Sequence, residues 1–156
     1  MSEFRRILVP HDFSDHATGS LKLAARLVGD GGTLRVLHVI VPFTPVADIP
    51  PAAMTAYVTP EELVTGAKRQ LDRQVRRALP KGGRRVEQQV VIGDPYQRII
   101  DAARGMDAIV MATAGRSGLA HLLIGSVAEK VVRHSPIPVI TVRPDALRRA
   151  TRSRAK

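Results

Sequence analysis

Five short apolar runs, each separated from the next by a stretch of helical periodicity, constrain this chain more than any other feature. Ile7-Leu8-Val9, Leu34–Val41, Val86–Ile92, Ala108–Met111 and Val139–Val142 are rich in Val, Ile and Leu and too short for helices, so they read as strands. Between them Ala17, Leu21, Ala24, Ala25 and Val28 recur at helical spacing, as do Leu63, Ala67, Leu71, Val75, Ala78 and Leu79. Strands that alternate with helices imply parallel pairing and right-handed crossovers, hence an α/β doubly wound three-layer sandwich around one five-stranded parallel sheet.

The helix boundaries are written locally. Ser14 is placed to cap the first helix, with Asp15 in its first turn. Gly29 to Gly32, with Asp30 between them, is expected to end it. Thr59-Pro60-Glu61-Glu62 predicts a capping box with proline in the first helical position. Pro80 to Gly83 close that helix, and Asp94-Pro95 repeats the start signal for the next, which Gly105 stops. The last helix runs to about His134, where Ser135-Pro136-Ile137-Pro138 breaks it. Residues 42–59 hold four prolines and read as a long loop.

The stretch Ala112–Ser126 lies between the fourth strand and the last helix and contains Gly115, Gly118 and Gly125. Gly125-Ser126 falls where that helix starts. The first N–H groups of a helix have no internal acceptor and carry the positive end of its dipole, so a phosphate fits there. Plain turn glycines are the other reading of the same pattern.

At 156 residues the chain makes one domain with a substantial core. Aromatics are 3% and Trp is absent, which argues against a stacked-aromatic platform for nucleic acid. There is no Cys, so disulfides and thiolate metal sites are excluded. Neither a signal peptide nor an apolar span is visible, and a cytoplasmic location is expected. Net charge is +10. Residues 145–156 hold Arg148, Arg149, Arg152, Arg154 and Lys156 against Asp145, and read as a basic, disordered tail after a domain spanning 1–144. Lys68, Arg69, Arg73, Arg76 and Arg77 read as the solvated face of the second helix. Nucleic acid is expected only weakly, through the tail.

The stretch after the fourth strand resembles the signature of the universal stress protein family: a glycine, two residues, a glycine, nine residues, then Gly-Ser or Gly-Thr. Gly115 fits the second glycine, Arg116 to Ile124 the nine residues, and Gly125-Ser126 the close; Ala112 stands where the first glycine would be. The resemblance extends from Arg6–Ser14 to Pro136–Val142. It implies strand order 3-2-1-4-5, an adenine nucleotide alpha hydrolase-like fold. The crevice at the strand ends then brings Asp12 beside the Ala112–Ser126 loop.

What the resemblance implies for the site follows residue by residue. Asp12 would accept from an adenine amino group or a ribose hydroxyl, or hold a metal through water; as a plain turn former it has a second reading. Pro10 and His11 would flank the base, and Val39, Ile40 and Val41 would form the apolar wall for adenine. Gly115, Gly125, Ser126 and Val127 would offer N–H groups to phosphates. Arg116 and Ser117 would reach the terminal phosphate, or Arg116 would be a surface side chain. Leu119, Leu122, Leu123 and Ile124 would pack beneath the loop, and His121 would be a packing or surface histidine. The proline-rich loop would cover the pocket.

The implied function is an ATP-binding regulatory module of the stress response. ATP, or ADP or AMP, would bind with Mg²⁺ or Mn²⁺, and the protein would form a homodimer through the last strand. The alternative is a dimeric interaction protein without nucleotide, because some branches of the family lack the glycine motif and Ala112 is a step in that direction. No Ser–His–Asp order, metal-binding His pair or P-loop lysine is visible, so any ATP hydrolysis would be slow.

Overall fold

The computed structural model describes residues 4–42, 59–79, 83–113 and 124–143. The elements run β1 (Phe4–Pro10), α1 (Asp15–Leu27), β2 (Val28–Ile40), α2 (Pro60–Ala78), β3 (Arg85–Ile92), α3 (Pro95–Ala102), β4 (Ala108–Ala112), α4 (Ser126–His134) and β5 (Val139–Val142). One five-stranded sheet has the order β3-β2-β1-β4-β5, and every pairing is parallel. This is the three-layer sandwich and strand order expected above.

Alternation along β1 explains the layers. Successive strand side chains point to opposite faces. Ile7 and Val9 join a core with Leu21, Leu34 and Leu71 on the α1–α2 side. Leu8 joins Leu37, Ile99, Ile109 and Val131 on the α3–α4 side. Burying each such Leu or Ile side chain contributes about 1.5–3 kcal/mol. With so few aromatics, both cores depend on these aliphatic contacts.

The caps form as expected. The Ser14 side chain accepts from the Ala17 amide, Asp94 accepts from Gln97, and Thr59 and Glu62 complete a reciprocal capping box. The first helix ends differently. It stops at Leu27, and Val28 already has extended backbone and begins β2. The glycines therefore do not cap a helix; they form an irregularity in the strand. Between Phe4↔Val28 and Arg6↔Thr33 the register slips, so Gly29–Gly32 bulge from the ladder. Gly31 has φ +73°, and a Cβ on Gly32 would sit 2.9 Å from the Arg5 carbonyl oxygen. Other boundaries shift as well: β1 starts three residues before Ile7, at Phe4, β2 starts at Val28 rather than Leu34, α3 ends at Ala102, ahead of Gly105, and β3 and β4 each gain one residue, Arg85 and Ala112.

Candidate functional site

The strand order reverses between β1 and β4, which pair through Ile7↔Ala108 and Leu8↔Ile109. Beyond their carboxyl ends opens a cleft of about 630 Å³. Its lining comes from distant parts of the chain, with Ala17 of α1 and Pro95 and Ile99 of α3 beside the strand ends. Pro10, His11 and Asp12 come from the end of β1, Val39, Ile40 and Val41 from the end of β2, and Ala112, Gly125, Ser126 and Val127 from β4 and α4. Gly115, Arg116 and Ser117 lie outside the described residues, as do Leu119, His121, Leu122 and Leu123, residues 43–58 of the proline-rich loop, and the basic tail.

The start of α4 faces this cleft. Gly125 is its N-cap and supplies no side-chain cap. The Gly125 amide, expected from sequence to meet a phosphate, donates here to the Thr113 carbonyl at 2.7 Å. The first bond within the helix joins the Glu129 amide to the Gly125 carbonyl at 2.9 Å. Ser126, Val127 and Ala128 thus have no helical acceptor for their N–H groups, and all three line the cleft. Thr113, which sequence reasoning passed over, holds this arrangement: its own amide donates to the Val142 carbonyl at 3.1 Å.

Asp12 is a turn former and a cleft residue at once. Its Oδ1 accepts from the Ser14 amide at 3.0 Å and from the Ser14 hydroxyl. That Asx turn starts α1 and fixes where the carboxylate stands.

His11 lines the same cleft from a buried position. The residue is 3% exposed. Its Nδ1 accepts from the Phe13 amide at 3.1 Å, and its Nε2 lies 3.4 Å from the Thr18 hydroxyl. The imidazole is therefore neutral, with its proton assigned to Nε2 from these partners. Burial lowers its pKa from 6.5 to about 4; Asp12 offsets part of that shift and His38 adds to it. His38 Nδ1 donates to the His11 carbonyl at 2.7 Å, and its ring stacks on Phe13 with centroids 3.9 Å apart. Phe13 has φ 68°, the only positive value at a non-glycine among the described residues. Such a conformation costs on the order of 1–3 kcal/mol and persists only where neighbours hold it. Gln74 of α2 helps to hold it, donating to the Phe13 carbonyl at 3.3 Å. Nothing in the sequence flagged Phe13, Thr18 or Gln74, because their contacts join residues far apart in the chain.

Two further expectations meet the structure here. Ile124, expected in the core, is 48% exposed; Gly125 follows it directly and the turn into α4 leaves it outside. Ala112 sits in β4 opposite Val142, without positive φ, so its methyl imposes no backbone strain.

A sequence model of the universal stress protein family matches residues 3–143. The chain belongs to that family. A universal stress protein of Thermus aquaticus is 32% identical over 147 residues, covering 90% of this chain and 99% of the relative. Among solved structures, the universal stress protein UspA from Lactobacillus plantarum superposes with a TM-score of 0.67 at 24% identity, covering 92% of this chain and 100% of the other. A universal stress protein from Archaeoglobus fulgidus in complex with dAMP superposes with a TM-score of 0.55 at 24% identity, covering 90% and 98%. The structural likenesses show the universal stress protein fold. Among the described residues no helix is long and apolar enough to cross a membrane.

Proposed function

We propose that this universal stress protein binds an adenine nucleotide, ATP by preference, and acts as a regulatory module of the stress response. The observation that carries the reading is the uncapped start of α4, opening its N–H groups into the same cleft as Asp12 and the end of β2. The cleft divides chemically as a nucleotide does. Val39, Ile40 and Val41 offer an apolar surface to a base, Asp12 an acceptor to an amino group or ribose hydroxyl, and Ser126 and Val127 donors to phosphate. Each charge-assisted hydrogen bond to phosphate would contribute about 1.5–3 kcal/mol. The Archaeoglobus relative's complex with dAMP supports the same ligand class. Gly115, Arg116 and Ser117 belong to the proposed phosphate site by the family motif alone.

Mg²⁺ or Mn²⁺ would arrive with the phosphates, since no group of three metal-ligating side chains stands together among the described residues. His11 is too buried and too weakly basic to act as a general base near neutral pH, so hydrolysis would be slow. A cytoplasmic homodimer joined through β5 completes the reading. The second reading, a dimeric interaction protein without nucleotide, is favoured by one observation: Ala112 lines the cleft where the family motif has glycine. Absorbance of the supernatant after denaturing the purified protein separates the two. Co-purified adenine nucleotide supports the first, and its absence after incubation with excess ATP and gel filtration supports the second.

A further inference from the structure

The solvent side of α2 plays no part in the cleft. Its buried stripe is Ala67, Leu71, Val75 and Ala78. At 3.6 residues per turn, Arg69, Arg73, Arg76 and Arg77 fall on the opposite face, and all four are exposed. Arg76 pairs with Asp72 at 2.8 Å. Among the described residues Arg69, Arg73 and Arg77 make no ion pair. The face meets the edge of the sheet where Gln88 of β3 donates to Asp72 at 3.3 Å; Arg84 precedes that strand, and Arg85, its first residue, pairs with Glu87 at 3.3 Å. Positions 68–85 hold eight of the chain's 24 basic residues and a single acidic one, Asp72.

We propose that this face binds the phosphate backbone of double-stranded DNA without reading its sequence. Four observations select that partner. The cations are mainly arginines, whose planar fork matches phosphate oxygens in pairs. Arg69, Arg73 and Arg77 recur once per turn and span about 12 Å of helix, close to the axial run of three or four phosphates on one strand. A membrane surface would need an apolar face to insert, and the apolar stripe of α2 is already buried against the sheet. A single strand would need aromatic stacking, and this face has no aromatic residue between positions 60 and 79. Taken from sequence, these residues read as solvated surface. The structure adds that Arg69, Arg73 and Arg77, the central cations of this face, make no ion pair among the described residues.

Fluorescence anisotropy of the full chain with a short labelled duplex, from about 50 to 200 mM KCl, tests the proposal. About four phosphate contacts would give micromolar binding at the low end and roughly a hundredfold loss across that range. The variant Arg69→Gln/Arg73→Gln/Arg77→Gln should keep its circular dichroism, lose about tenfold or more in affinity, and flatten the salt slope by about three. If that variant loses its fold, Arg73→Gln alone should flatten the slope by about one. Deleting residues 146–156 should leave the arginine dependence in place. The proposal is overturned by no duplex binding at the lowest salt, by wild-type binding in the folded arginine variant, or by disappearance of the arginine effect in the truncated chain. Preferential capture by phosphatidylserine vesicles, or by duplex RNA over DNA, overturns it equally.

Discussion

The amide of Gly125 donates to the carbonyl of Thr113 at 2.7 Å and ties the first turn of α4 to the end of β4. Thr113 is bonded in turn to Val142, so the start of α4 rests on the edge strand through a single residue. This contact aims the remaining N–H groups of the helix into the cleft. It also defines what a side chain at position 125 would do.

Gly125→Asp should remove nucleotide binding and leave the fold intact. The backbone at 125 has φ −58°, open to any residue, and among the described residues a Cβ there meets only the Thr113 carbonyl oxygen, at 3.4 Å. Asp is a favoured N-cap, worth a few tenths of a kcal/mol over Gly. Its carboxylate would take the N–H groups that a phosphate needs and repel the phosphate as well. We expect unchanged or slightly raised stability in urea denaturation, with affinity for ATP reduced by about a hundredfold or more, a difference of about 2.8 kcal/mol. Wild-type affinity in the folded variant would move the phosphate site elsewhere.

Ala112→Gly tests whether the family's first glycine matters here. Ala112 is a strand residue without left-handed backbone. Glycine should therefore destabilise the chain by about 0.5–1 kcal/mol. If the methyl crowds the ligand, the same variant should bind ATP up to about tenfold more tightly. Equal titration curves would show the methyl to be harmless.

His11 should make the fold acid-sensitive. Its folded pKa, about 4, lies below its ordinary 6.5. Between those values the unfolded chain takes up a proton that the folded chain refuses, so stability falls as pH drops through that window and is flat below it. The full loss is about 3 kcal/mol. His11→Asn keeps an acceptor for the Phe13 amide but does not titrate there. Urea denaturation near pH 7 and pH 4.5 should show the wild type losing about 2–3 kcal/mol more than this variant. Parallel losses would mean that the imidazole is not held neutral.

The β5 edge should pair with a second copy. Pro138 and Val142 both turn their carbonyls toward β4, onto the amides of Ile109 and Thr113. Alternate residues of a strand share an edge, so Val139 and Thr141 present their backbone groups to the outer side. Thr141→Pro removes one outward donor without breaking a β4 pair. Light scattering at micromolar concentration should show a dimer for wild type and a monomer for this variant. A wild-type monomer would sink the assembly.

Much of this was legible in the chain because it is encoded locally. Thr59, Asp94 and Ser14 announce their helices through bonds to residues three positions away. The apolar runs announce the strands, and strand–helix alternation announces the parallel sheet. The end of α1 was not legible, since glycines that cap a helix and glycines that bulge a strand look alike until the Phe4–Arg6 register is known. The role of His11 was hidden for the same reason. Its neutral state depends on Thr18 and His38, and the turn it braces depends on Gln74, 61 positions from Phe13. The engaged amide of Gly125 could be seen only once Thr113 lay against it.

The most direct test of the account is calorimetric titration of the purified, nucleotide-stripped protein with ATP, ADP and AMP, with and without Mg²⁺, beside Gly125→Asp. The account predicts saturable binding of adenine nucleotide to the wild type, with ATP preferred, and loss of that binding in the folded variant. No heat of binding to the wild type at any nucleotide, or equal binding by both proteins, would contradict it.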